Sequence, residues 1–189
     1  MNRPKSFELA VQVNDTDHLL GAERGRVTLV EYGDFECPNC KQAMTAVKIL
    51  LAHFPDTLRF VFRHFPLEEI HPHALLAAQA AEAAGAQGKF WPMHDLLFEN
   101  QSHLKLNQLR MHAQRLELDM PRFEFEIDDE VYLQRVREHI ESGRRSGVHA
   151  TPAFFVNGHA CDVSFGYQAL EKAVQAALGS ASHGRDGSR

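Results

Sequence analysis

The sequence contains few cysteines and no long apolar run. Three cysteines in 189 residues are too few for a disulfide scaffold, and their odd number leaves one outside any set of pairs. No stretch approaches the roughly 20 consecutive apolar residues that a membrane-spanning helix requires. The sequence therefore predicts a chain without a disulfide framework and without a membrane span.

An excess of positive charge is also missing. The chain has 20 Lys or Arg residues against 25 Asp or Glu residues, which gives a net charge of −5. A nucleic-acid-binding protein usually carries a basic face or stripe, so no nucleic-acid partner is expected. Apolar residues make up 44% of the chain. Together with the length, this composition predicts one globular domain with room for an inserted subdomain.

The N-terminal segment lacks the apolar region of a signal peptide. It starts with the basic residues Arg3 and Lys5, and Glu8 and Asn14 interrupt the sequence that follows. A signal peptide needs an uninterrupted apolar stretch at this point. With Met1 as a native initiator, the sequence predicts a cytoplasmic protein. The alternative is a periplasmic or exported protein whose signal peptide has been removed.

Residues 27–67 have the pattern of a β-α-β unit. Residues 27–32 are apolar, β-branched or aromatic almost throughout, which is typical of a central strand covered on both faces. A helical apolar pattern then runs from Pro38 to Pro55, and residues 58–65 alternate like a second strand. Because the crossover is helical, the two strands are predicted to be parallel and adjacent.

Residues 68–147 have a different character. They are rich in Ala and Leu at helical spacing, and no convincing strand is found among them. This stretch is therefore predicted to be an all-helical insert. Its helical segments are 74–86, 90–99, 104–116 and 128–142.

A second β-containing stretch follows the insert. Asn157-Gly158 is typical of a two-residue hairpin turn, with strands at 153–156 and 159–163 on either side, and a last helix is predicted at 167–178. The two ends of the chain look irregular. Residues 1–26 form a polar N-terminal extension, and the Gly- and Ser-rich residues 179–189 are expected to be a disordered tail.

The motif Cys37-Pro38-Asn39-Cys40 lies between the first predicted strand and its helix. This spacing puts two sulfur atoms one helical turn apart, close enough to bond. A helix N-terminus stabilises a thiolate through unpaired N–H groups and the positive end of the helix dipole. Cys37 is therefore the predicted nucleophile and Cys40 the resolving thiol. Pro38 fits the first helical turn, where its missing N–H costs nothing.

A zinc site and an accidental pair of buried thiols are the alternatives to a redox pair. A structural zinc site needs four ligands, normally from a second Cys pair or from His residues at motif spacing. Cys161 stands alone, and His64, His71 and His73 are expected to be packing or surface residues rather than ligands. Two unrelated buried thiols are disfavoured by the strand–CPxC–helix context. No metal and no cofactor are therefore expected.

Four sequence blocks, in order along residues 15–178, resemble the DsbA-like branch of the thioredoxin superfamily. The resemblance implies an α/β thioredoxin fold in which the all-helical domain, residues 68–147, is inserted between a β-α-β half at 27–67 and a β-β-α half at 148–178. The insert agrees with the helical pattern described above. The four blocks are Val30 to Cys40, Phe62 to Leu67 with His71-Pro72, Gly88 to Trp91 with His94 to Phe98, and Thr151 to Gly158.

The resemblance also implies roles for residues outside the motif. Cys37 and Cys40 match the reactive pair, and Pro152 matches a proline that is cis in this superfamily and lies beside the reactive cysteines. Thr151 is then expected to pair its main-chain groups with an extended substrate segment. The alternative for Thr151-Pro152 is an ordinary trans turn before a strand.

Glu31 lies in the predicted central strand, six residues before Cys37. A charge is costly in such a strand unless it is used, and thioredoxin-like proteins often place a buried acid at this position. Glu31 is therefore a candidate proton acceptor for Cys40. The alternative is a solvent-facing carboxylate at the end of the strand.

Pro38 and Asn39 are expected to tune the redox properties of the pair. Many DsbA relatives carry His at the position of Asn39, which helps to make them strong oxidants. Asn39 departs from that pattern because it carries no charge, so strongly oxidising behaviour is not expected. Cys161 is expected to be a small buried hydrophobic residue, with a regulatory or dimer-linking thiol as the alternative.

The function predicted from these observations is thiol–disulfide exchange with protein or peptide substrates, with a redox partner protein or glutathione completing the cycle. The chain is expected to act as a monomer. The alternatives are a redox-inactive thioredoxin-like binding module and a thioredoxin-fold enzyme that acts on a small molecule or a peroxide. Both are disfavoured because members of those groups usually lack one of the two cysteines, whereas Cys37 and Cys40 are both present.

Overall fold

A five-stranded sheet runs through the computed structural model, which describes residues 7–183. In chain order the strands are β1 (His18–Gly21), β2 (Val27–Gly33), β3 (Leu58–His64), β4 (Ala153–Val156) and β5 (His159–Cys161). Across the sheet they lie in the order β1-β3-β2-β4-β5, so β1 is at one edge.

The sheet is mixed. At one end of the β2–β3 pair Val27 N–H donates to the Thr57 carbonyl (3.0 Å), and at the other end Phe65 N–H donates to the Gly33 carbonyl (2.8 Å). Both residue numbers rise together, so β2 and β3 are parallel and adjacent, as the helical crossover predicts. The β1–β3, β2–β4 and β4–β5 pairs are antiparallel.

Strand β2 lies between β3 and β4, and all seven of its residues are buried. Its nearly continuous apolar sequence suits a strand that is covered on both faces. The chain leaves β2 at Gly33 and enters the first helix at Pro38. This strand-to-helix junction carries the two close cysteines.

Seven helices are present among the described residues, and five of them lie between β3 and β4. This all-helical stretch is the one that the sequence predicts. The helices are α1 (Pro38–His53), α2 (Ala74–Gly85), α3 (Phe90–Glu99), α4 (Leu106–Arg115), α5 (Met120–Asp128), α6 (Leu133–Arg145) and α7 (Gln168–His183). None of those helices is both long and apolar enough to cross a lipid bilayer.

The chain divides into two compact units. The first contains the residues up to Tyr32, Ala43–Arg63 and the residues from Ser142 onward, and the second contains Gly33–Gln42 and His64–Glu141. The second unit therefore holds the Cys37/Cys40 motif together with most of the helical stretch. The domain boundaries given above for the two thioredoxin-like halves and the insert stay predictions.

A buried ion pair fixes the N-terminal segment of the first unit. The Arg63 Nη2 atom in β3 lies 2.8 Å from Asp17 Oδ2, and the two side chains are 2% and 3% exposed. Arg63 also donates to the Val11 carbonyl (2.7 Å) and to the Tyr32 hydroxyl (3.1 Å). Burial alone lowers the pKa of Arg63, but its hydrogen bonds to Asp17 and Tyr32 outweigh burial and raise it. Arg63 is therefore held in its charged form.

The core of the second unit is built around an alanine-rich helix. Nine residues of α2 are buried, seven of them Ala, and the helix packs against α3, α4 and α5. Small side chains allow neighbouring helices to approach closely. The rings of Phe98 and Phe35 pack against each other at an angle of 53°, with centroids 4.9 Å apart. Phe35 thereby anchors the segment just before Cys37 on the helical core.

Two short elements depart from the sequence-based expectation. Strand β1 lies within residues 1–26, where an irregular extension was expected; it is a four-residue edge strand and is only partly buried. Helix α5 was not predicted because Pro121 looks like a helix breaker. Pro121 instead occupies the first turn, where proline is favoured, and the Asp119 side chain caps the helix by accepting from Arg122 N–H (3.1 Å).

The boundaries of the last elements also differ. Helix α6 starts at Leu133 rather than at residue 128 and runs on to Arg145. Helix α7 continues to His183, so a disordered tail from residue 179 is wrong for residues 179–183. The rest of that expected tail, 184–189, lies outside the described residues, as do the first six residues of the expected N-terminal extension.

The hairpin turn between β4 and β5 is as predicted, but β5 ends at Cys161 rather than at residue 163. Asn157 and Gly158 both have positive φ, at 47° and 84°. A two-residue type I′ turn requires positive φ at both central positions, which explains the Asn-Gly sequence. The turn sets the β4–β5 register in which Phe154 faces Cys161.

Candidate active site

Cys37 and Cys40 lie at the start of α1. Cys37 immediately precedes the helix, where its N–H donates to the Asp34 carbonyl (3.1 Å) and its carbonyl accepts from Lys41 N–H (3.3 Å). Both residues are buried, with Cys37 5% and Cys40 0% exposed. Cys40 is the third residue of the helix. The roles of Cys37 as nucleophile and Cys40 as resolving thiol stay predictions.

The position of Cys37 favours negative charge on its sulfur. A helix N-terminus carries unpaired main-chain N–H groups and roughly half a positive elementary charge from the aligned peptide dipoles. Helix α1 is 16 residues long, so its dipole is well developed. Only a thiolate attacks a disulfide, and this placement is what a nucleophilic cysteine requires.

A buried carboxylate, Asp34, lies between β2 and the motif. Its Oδ1 accepts from Glu36 N–H, and its Oδ2 accepts from Leu67 N–H and from His71 Nδ1, each at 2.8 Å. The main-chain N–H of Asp34 points at Cys40 Sγ (3.5 Å). Asp34 is not among the site residues predicted from the sequence. The available signal was an acid in an otherwise buried stretch directly before the cysteine motif.

Gln101, which follows α3, is a second site residue that was not predicted from the sequence. Its side-chain amide donates to the carbonyls of Phe35 (2.8 Å) and Cys37 (2.9 Å). The helical stretch therefore contributes a side chain that braces the main chain on which Cys37 is carried. No local pattern marks Gln101, because its partners lie 66 and 64 residues away in the sequence.

Thr151 and Pro152 precede β4 in the first unit. The Thr151–Pro152 peptide bond is cis, which excludes the ordinary trans turn given above as the alternative. Thr151 is buried and Pro152 is partly exposed. The substrate-binding role of the two residues stays a prediction.

Glu31 occupies the middle of β2, opposite Phe154 of β4. It is 2% exposed, so the alternative of a solvent-facing carboxylate at the strand end is wrong. A carboxylate is costly in such a position unless it is used. Its role as a proton acceptor stays a prediction.

The model of the Thioredoxin family matches residues 13–176, which is most of the chain. The match includes both cysteines, Glu31 and the Thr151–Pro152 pair. The chain belongs to the thioredoxin family.

Solved structures place this thioredoxin-family chain among DsbA-type folds. Oxidised BdbD from Bacillus subtilis is 23% identical, with a TM-score of 0.77 over 85% of this chain and 91% of that one. A thioredoxin-like oxidoreductase from Silicibacter pomeroyi is 27% identical, with a TM-score of 0.75 over 87% and 94%. DsbA2 from Pseudomonas aeruginosa is 26% identical, with a TM-score of 0.68 over 86% and 95%. The resemblance to DsbA-like proteins and the fold class are therefore confirmed.

Curated relatives of this thioredoxin-family chain carry a different name. A protein named Na(+)/H(+) antiporter NhaA 1 from Salinispora arenicola is 46% identical over 173 residues, which are 91% of this chain and 26% of that protein. Na(+)/H(+) antiporter NhaA 3 from Salinispora tropica is 43% identical over 97% of this chain and 28% of that protein. The chain thus spans about a quarter of the length of these relatives.

The middle residues of the motif in this thioredoxin-family chain, Pro38 and Asn39, are both exposed. Pro38 is the first residue of α1 and Asn39 the second, so neither removes a hydrogen bond from the helix. Their effect on the reduction potential stays a prediction.

Cys161, the third cysteine, lies in β5 and is partly exposed. Burial raises the pKa of the Cys161 thiol, and the neighbouring Asp162 carboxylate raises it further. A thiol of this kind is a weak nucleophile. Cys161 is therefore less buried than expected, and both its packing role and the alternative of a regulatory thiol stay predictions.

One group of buried side chains in the described part of the chain has the composition of a metal site. Ligand atoms of His64, Glu82 and His139 lie within 4.8 Å of one another. These atoms are engaged in hydrogen bonds: His64 Nε2 with Glu82 Oε1 (3.0 Å), and His139 Nδ1 with His64 N–H (3.2 Å). Arg135 donates to Glu82 Oε2 at 2.9 Å. A metal ion would lie beside this guanidinium, so the group fits a cation poorly.

Proposed function

We propose that the chain is a thiol–disulfide oxidoreductase that exchanges disulfides with protein or peptide substrates through Cys37 and Cys40. The observation that carries the proposal is the position of both thiols at the N-terminus of α1 in a DsbA-like fold. A helix N-terminus favours a thiolate, and a second thiol one turn away can resolve the covalent intermediate.

The reaction proceeds in two exchanges. In the reducing direction, the Cys37 thiolate attacks one sulfur of a substrate disulfide, which forms a mixed disulfide and releases the other substrate sulfur as a thiolate. Cys40 loses its proton and attacks Cys37 Sγ, which forms the Cys37–Cys40 disulfide and releases the second substrate thiolate. Both released thiolates take up protons. The cysteine pair loses two electrons and the substrate gains two.

Substrate binding is assigned to Thr151 and Pro152. An extended peptide can pair its main chain with a main-chain segment of the enzyme in the manner of an added strand. Recognition of this kind depends little on substrate side chains. It suits an enzyme that acts on cysteines in different sequences, and it favours a protein or peptide substrate over a small molecule or a peroxide.

Glu31 is assigned as the proton acceptor for Cys40. The support is its burial in β2, since a carboxylate taken out of water is costly and is favoured only where it has a task. Pro38 and Asn39 are assigned to tuning of the reduction potential. Because Asn39 carries no charge, the thiolate form of Cys37 gains less stabilisation than it would beside an imidazolium.

The direction of electron flow follows from the reduction potential of the pair. A potential near −270 mV, typical of a thioredoxin, favours a reductase, and one near −120 mV favours an oxidant. A lower potential suits the predicted cytoplasmic location, which stays a prediction, as does the monomeric state. Equilibration of the chain with glutathione at defined ratios measures this potential.

Insulin reduction tests the proposed activity. The wild type is expected to accelerate insulin precipitation in the presence of a chemical reductant, and Cys37→Ser is expected to have no effect above background. Cys161→Ser is the matched control, since it removes a thiol outside the motif. Full activity in Cys37→Ser, or none in the wild type, contradicts the proposal. The second result would favour the redox-inactive binding module.

A second candidate concerns the partner. The curated relatives are named Na(+)/H(+) antiporters, and this chain matches about a quarter of their length. We propose that the redox unit acts on cysteines of a membrane transporter. The variant Cys40→Ser cannot resolve the mixed disulfide and retains its substrate covalently. Recovery of a transporter from cell membranes on Cys40→Ser, and not on the double variant Cys37→Ser/Cys40→Ser, is expected; recovery of other proteins alone contradicts it.

A further inference from the structure

Asp34 makes hydrogen bonds to both cysteines of the motif. Its carbonyl accepts from Cys37 N–H (3.1 Å), and its own N–H points at Cys40 Sγ (3.5 Å). The contact with Cys40 is made by the main chain, so its geometry depends on how the backbone at residue 34 is held.

The side chain of Asp34 holds that backbone in place. The carboxylate is fully buried and accepts three N–H bonds, from Glu36, Leu67 and His71, each at 2.8 Å. A carboxylate only accepts hydrogen bonds, so the 2.8 Å contact with Asp34 assigns the Nδ1–H tautomer, in which His71 is the donor. Two of these three bonds reach the segment after β3. Asp34 thus joins the loop before the motif to a second loop.

We infer that Asp34 is a positioning residue that aims its main-chain N–H at Cys40 Sγ and thereby promotes resolution of the mixed disulfide. The inference rests on the proposed disulfide exchange and adds a residue to it. Resolution requires Cys40 as a thiolate, and an N–H bond to a charged sulfur is stronger than one to a neutral thiol. The contact therefore favours the reactive form of Cys40.

Resolution begins from the mixed disulfide between Cys37 and a substrate sulfur. The Cys40 thiol releases its proton to the base assigned above or to water. The Cys40 sulfur attacks Cys37 Sγ, so that the Cys37–Cys40 bond forms and the bond to the substrate breaks. The substrate leaves as a thiolate and takes up a proton. Asp34 forms and breaks no covalent bond in this step. Its contact with the reacting atoms is the hydrogen bond from its main-chain N–H to Cys40 Sγ.

A purely electrostatic role of Asp34 predicts the opposite behaviour. A carboxylate close to the motif disfavours a second negative charge on sulfur. If charge alone mattered, Asp34→Asn would speed resolution, while His71→Ala, which removes a donor from the carboxylate, would slow it. If positioning matters, both substitutions slow resolution. The direction in which each substitution changes the resolution rate therefore distinguishes a positioning role from an electrostatic one.

Asn at position 34 cannot reproduce the three bonds. Its amide offers one acceptor oxygen. In either orientation of the amide, the NH₂ group faces another donor, the N–H of Glu36 or that of Leu67. The side chain must then shift, and the main-chain N–H of residue 34 shifts with it. His71→Ala removes one of the three bonds at a partly exposed position, so a folded protein with a smaller effect is expected.

The experiment uses the full chain and glutathione disulfide as the probe. Rapid mixing followed by acid quench and mass analysis gives the rates at which the Cys37–glutathione species forms and disappears. We expect Asp34→Asn to slow its disappearance about tenfold, which corresponds to about 1.4 kcal/mol in the barrier. His71→Ala is expected to slow the disappearance of this species about threefold, which corresponds to about half of that increase in the barrier. The pH midpoint of this step should move to higher pH in both.

Two variants serve as references. Glu36→Gln changes a carboxylate that accepts a single main-chain bond, from His73 N–H (2.6 Å), and it is expected to leave the resolution rate within twofold of the wild type. Cys40→Ser is expected to accumulate the mixed disulfide completely and defines zero resolution. Thermal unfolding of each variant shows that the rates come from folded protein.

The outcomes separate the inference from the function on which it rests. If the wild type forms no glutathione adduct, or forms one that is still present in Cys37→Ser, the proposed exchange itself is wrong. If the wild type forms and resolves the adduct but Asp34→Asn and His71→Ala resolve it at the wild-type rate, only the inference is overturned. Faster resolution in Asp34→Asn also overturns it, in favour of the electrostatic role.

Discussion

The side chain of Gln101 donates to the carbonyl of Cys37, 64 residues earlier in the chain, at 2.9 Å. The same amide nitrogen donates to the Phe35 carbonyl at 2.8 Å. One side chain from the segment after α3 therefore satisfies two carbonyls of the loop that carries the nucleophile. The helical stretch thus acts on the redox motif as a brace.

Gln101→Ala is expected to lower stability and to loosen the motif. It leaves two main-chain acceptors without their side-chain donor, at a partly exposed position where water replaces part of the loss. A decrease of about 1–2 kcal/mol in the free energy of unfolding is expected, together with a slower reaction of Cys37 with glutathione disulfide. Urea unfolding and the rapid-mixing assay measure the two effects. Gln42→Ala, on the exposed surface of α1, is the control and should change neither.

Most of the fold could be predicted because its signals are local. Strand β2 has an apolar run, β4 and β5 have an Asn-Gly turn, and α3 has a helical apolar period, so each segment indicates its own structure. Helix α5 carried a misleading signal, since Pro121 is compatible with a first helical turn as well as with a helix end. Strand β1 is too short and too weakly alternating to be recognised.

The cysteine pair could also be predicted, but its surroundings could not. A Cys-x-x-Cys motif after a strand is visible within the single stretch 27–40. The long-range side-chain contacts of Asp34 and Gln101 join residues 33 to 66 positions apart. Such contacts depend on how the segments pack in three dimensions. Neither residue type has a strong preference for this task, so the structure is needed to identify the partners of both residues.

Asp17→Asn is expected to destabilise the protein strongly. Asp17 and Arg63 are both buried, and the substitution leaves the Arg63 guanidinium without its counter-ion. Removing one partner of a buried ion pair typically costs about 3–5 kcal/mol. The midpoint of urea unfolding measures the loss. Asp15→Asn removes an exposed carboxylate two residues away and should shift the midpoint little; an equal shift in both variants would mean that the burial of the pair is unimportant.

Cys161 is expected to react slowly with iodoacetamide near neutral pH. Burial raises the pKa of its thiol, with a smaller contribution from Asp162, so the thiolate fraction at a given pH is below that of an ordinary cysteine. The alkylation rate should therefore rise with pH up to a midpoint above the ordinary value. The double variant Cys37→Ser/Cys40→Ser leaves Cys161 as the one cysteine that can be alkylated, so the measured rate belongs to it.

The sign of the Asp162 contribution can be checked in the same background. Asp162→Asn removes the smaller of the two causes, so the midpoint for Cys161 should fall only part of the way toward the ordinary value. Above the pH at which an ordinary thiol ionises, the raised pKa also makes folding less favourable, because the unfolded chain releases this proton first. A midpoint at or below that of free cysteine contradicts the prediction.

Asn39→His is expected to make the Cys37–Cys40 pair more oxidising. A protonated imidazole beside Cys37 stabilises its thiolate and so stabilises the reduced form of the pair. A stabilisation of about 1.4 kcal/mol corresponds to a rise of about 30 mV in the two-electron reduction potential, and a rise of that order is expected at pH 6. Equilibration with glutathione measures it. Asn39→Gln, which stays uncharged, should leave the potential close to that of the wild type.

Glu31→Gln is expected to separate stability from activity. Replacing a buried carboxylate by an amide of the same shape removes the cost of burying a charge, so the free energy of unfolding at neutral pH should stay the same or rise. Resolution of the Cys37–glutathione species should slow about 100-fold, the lower end of the usual contribution of a positioned proton acceptor.

The pH dependence of Glu31→Gln distinguishes a proton acceptor from a packing residue. With the acceptor removed, Cys40 must lose its proton to hydroxide or to buffer, so the resolution rate should recover as the pH rises and approach that of the wild type in strong base. A packing defect would slow the step by the same factor at every pH and would lower stability as well. Formation of the mixed disulfide by Cys37 should be unchanged, because that step does not require a proton from Cys40.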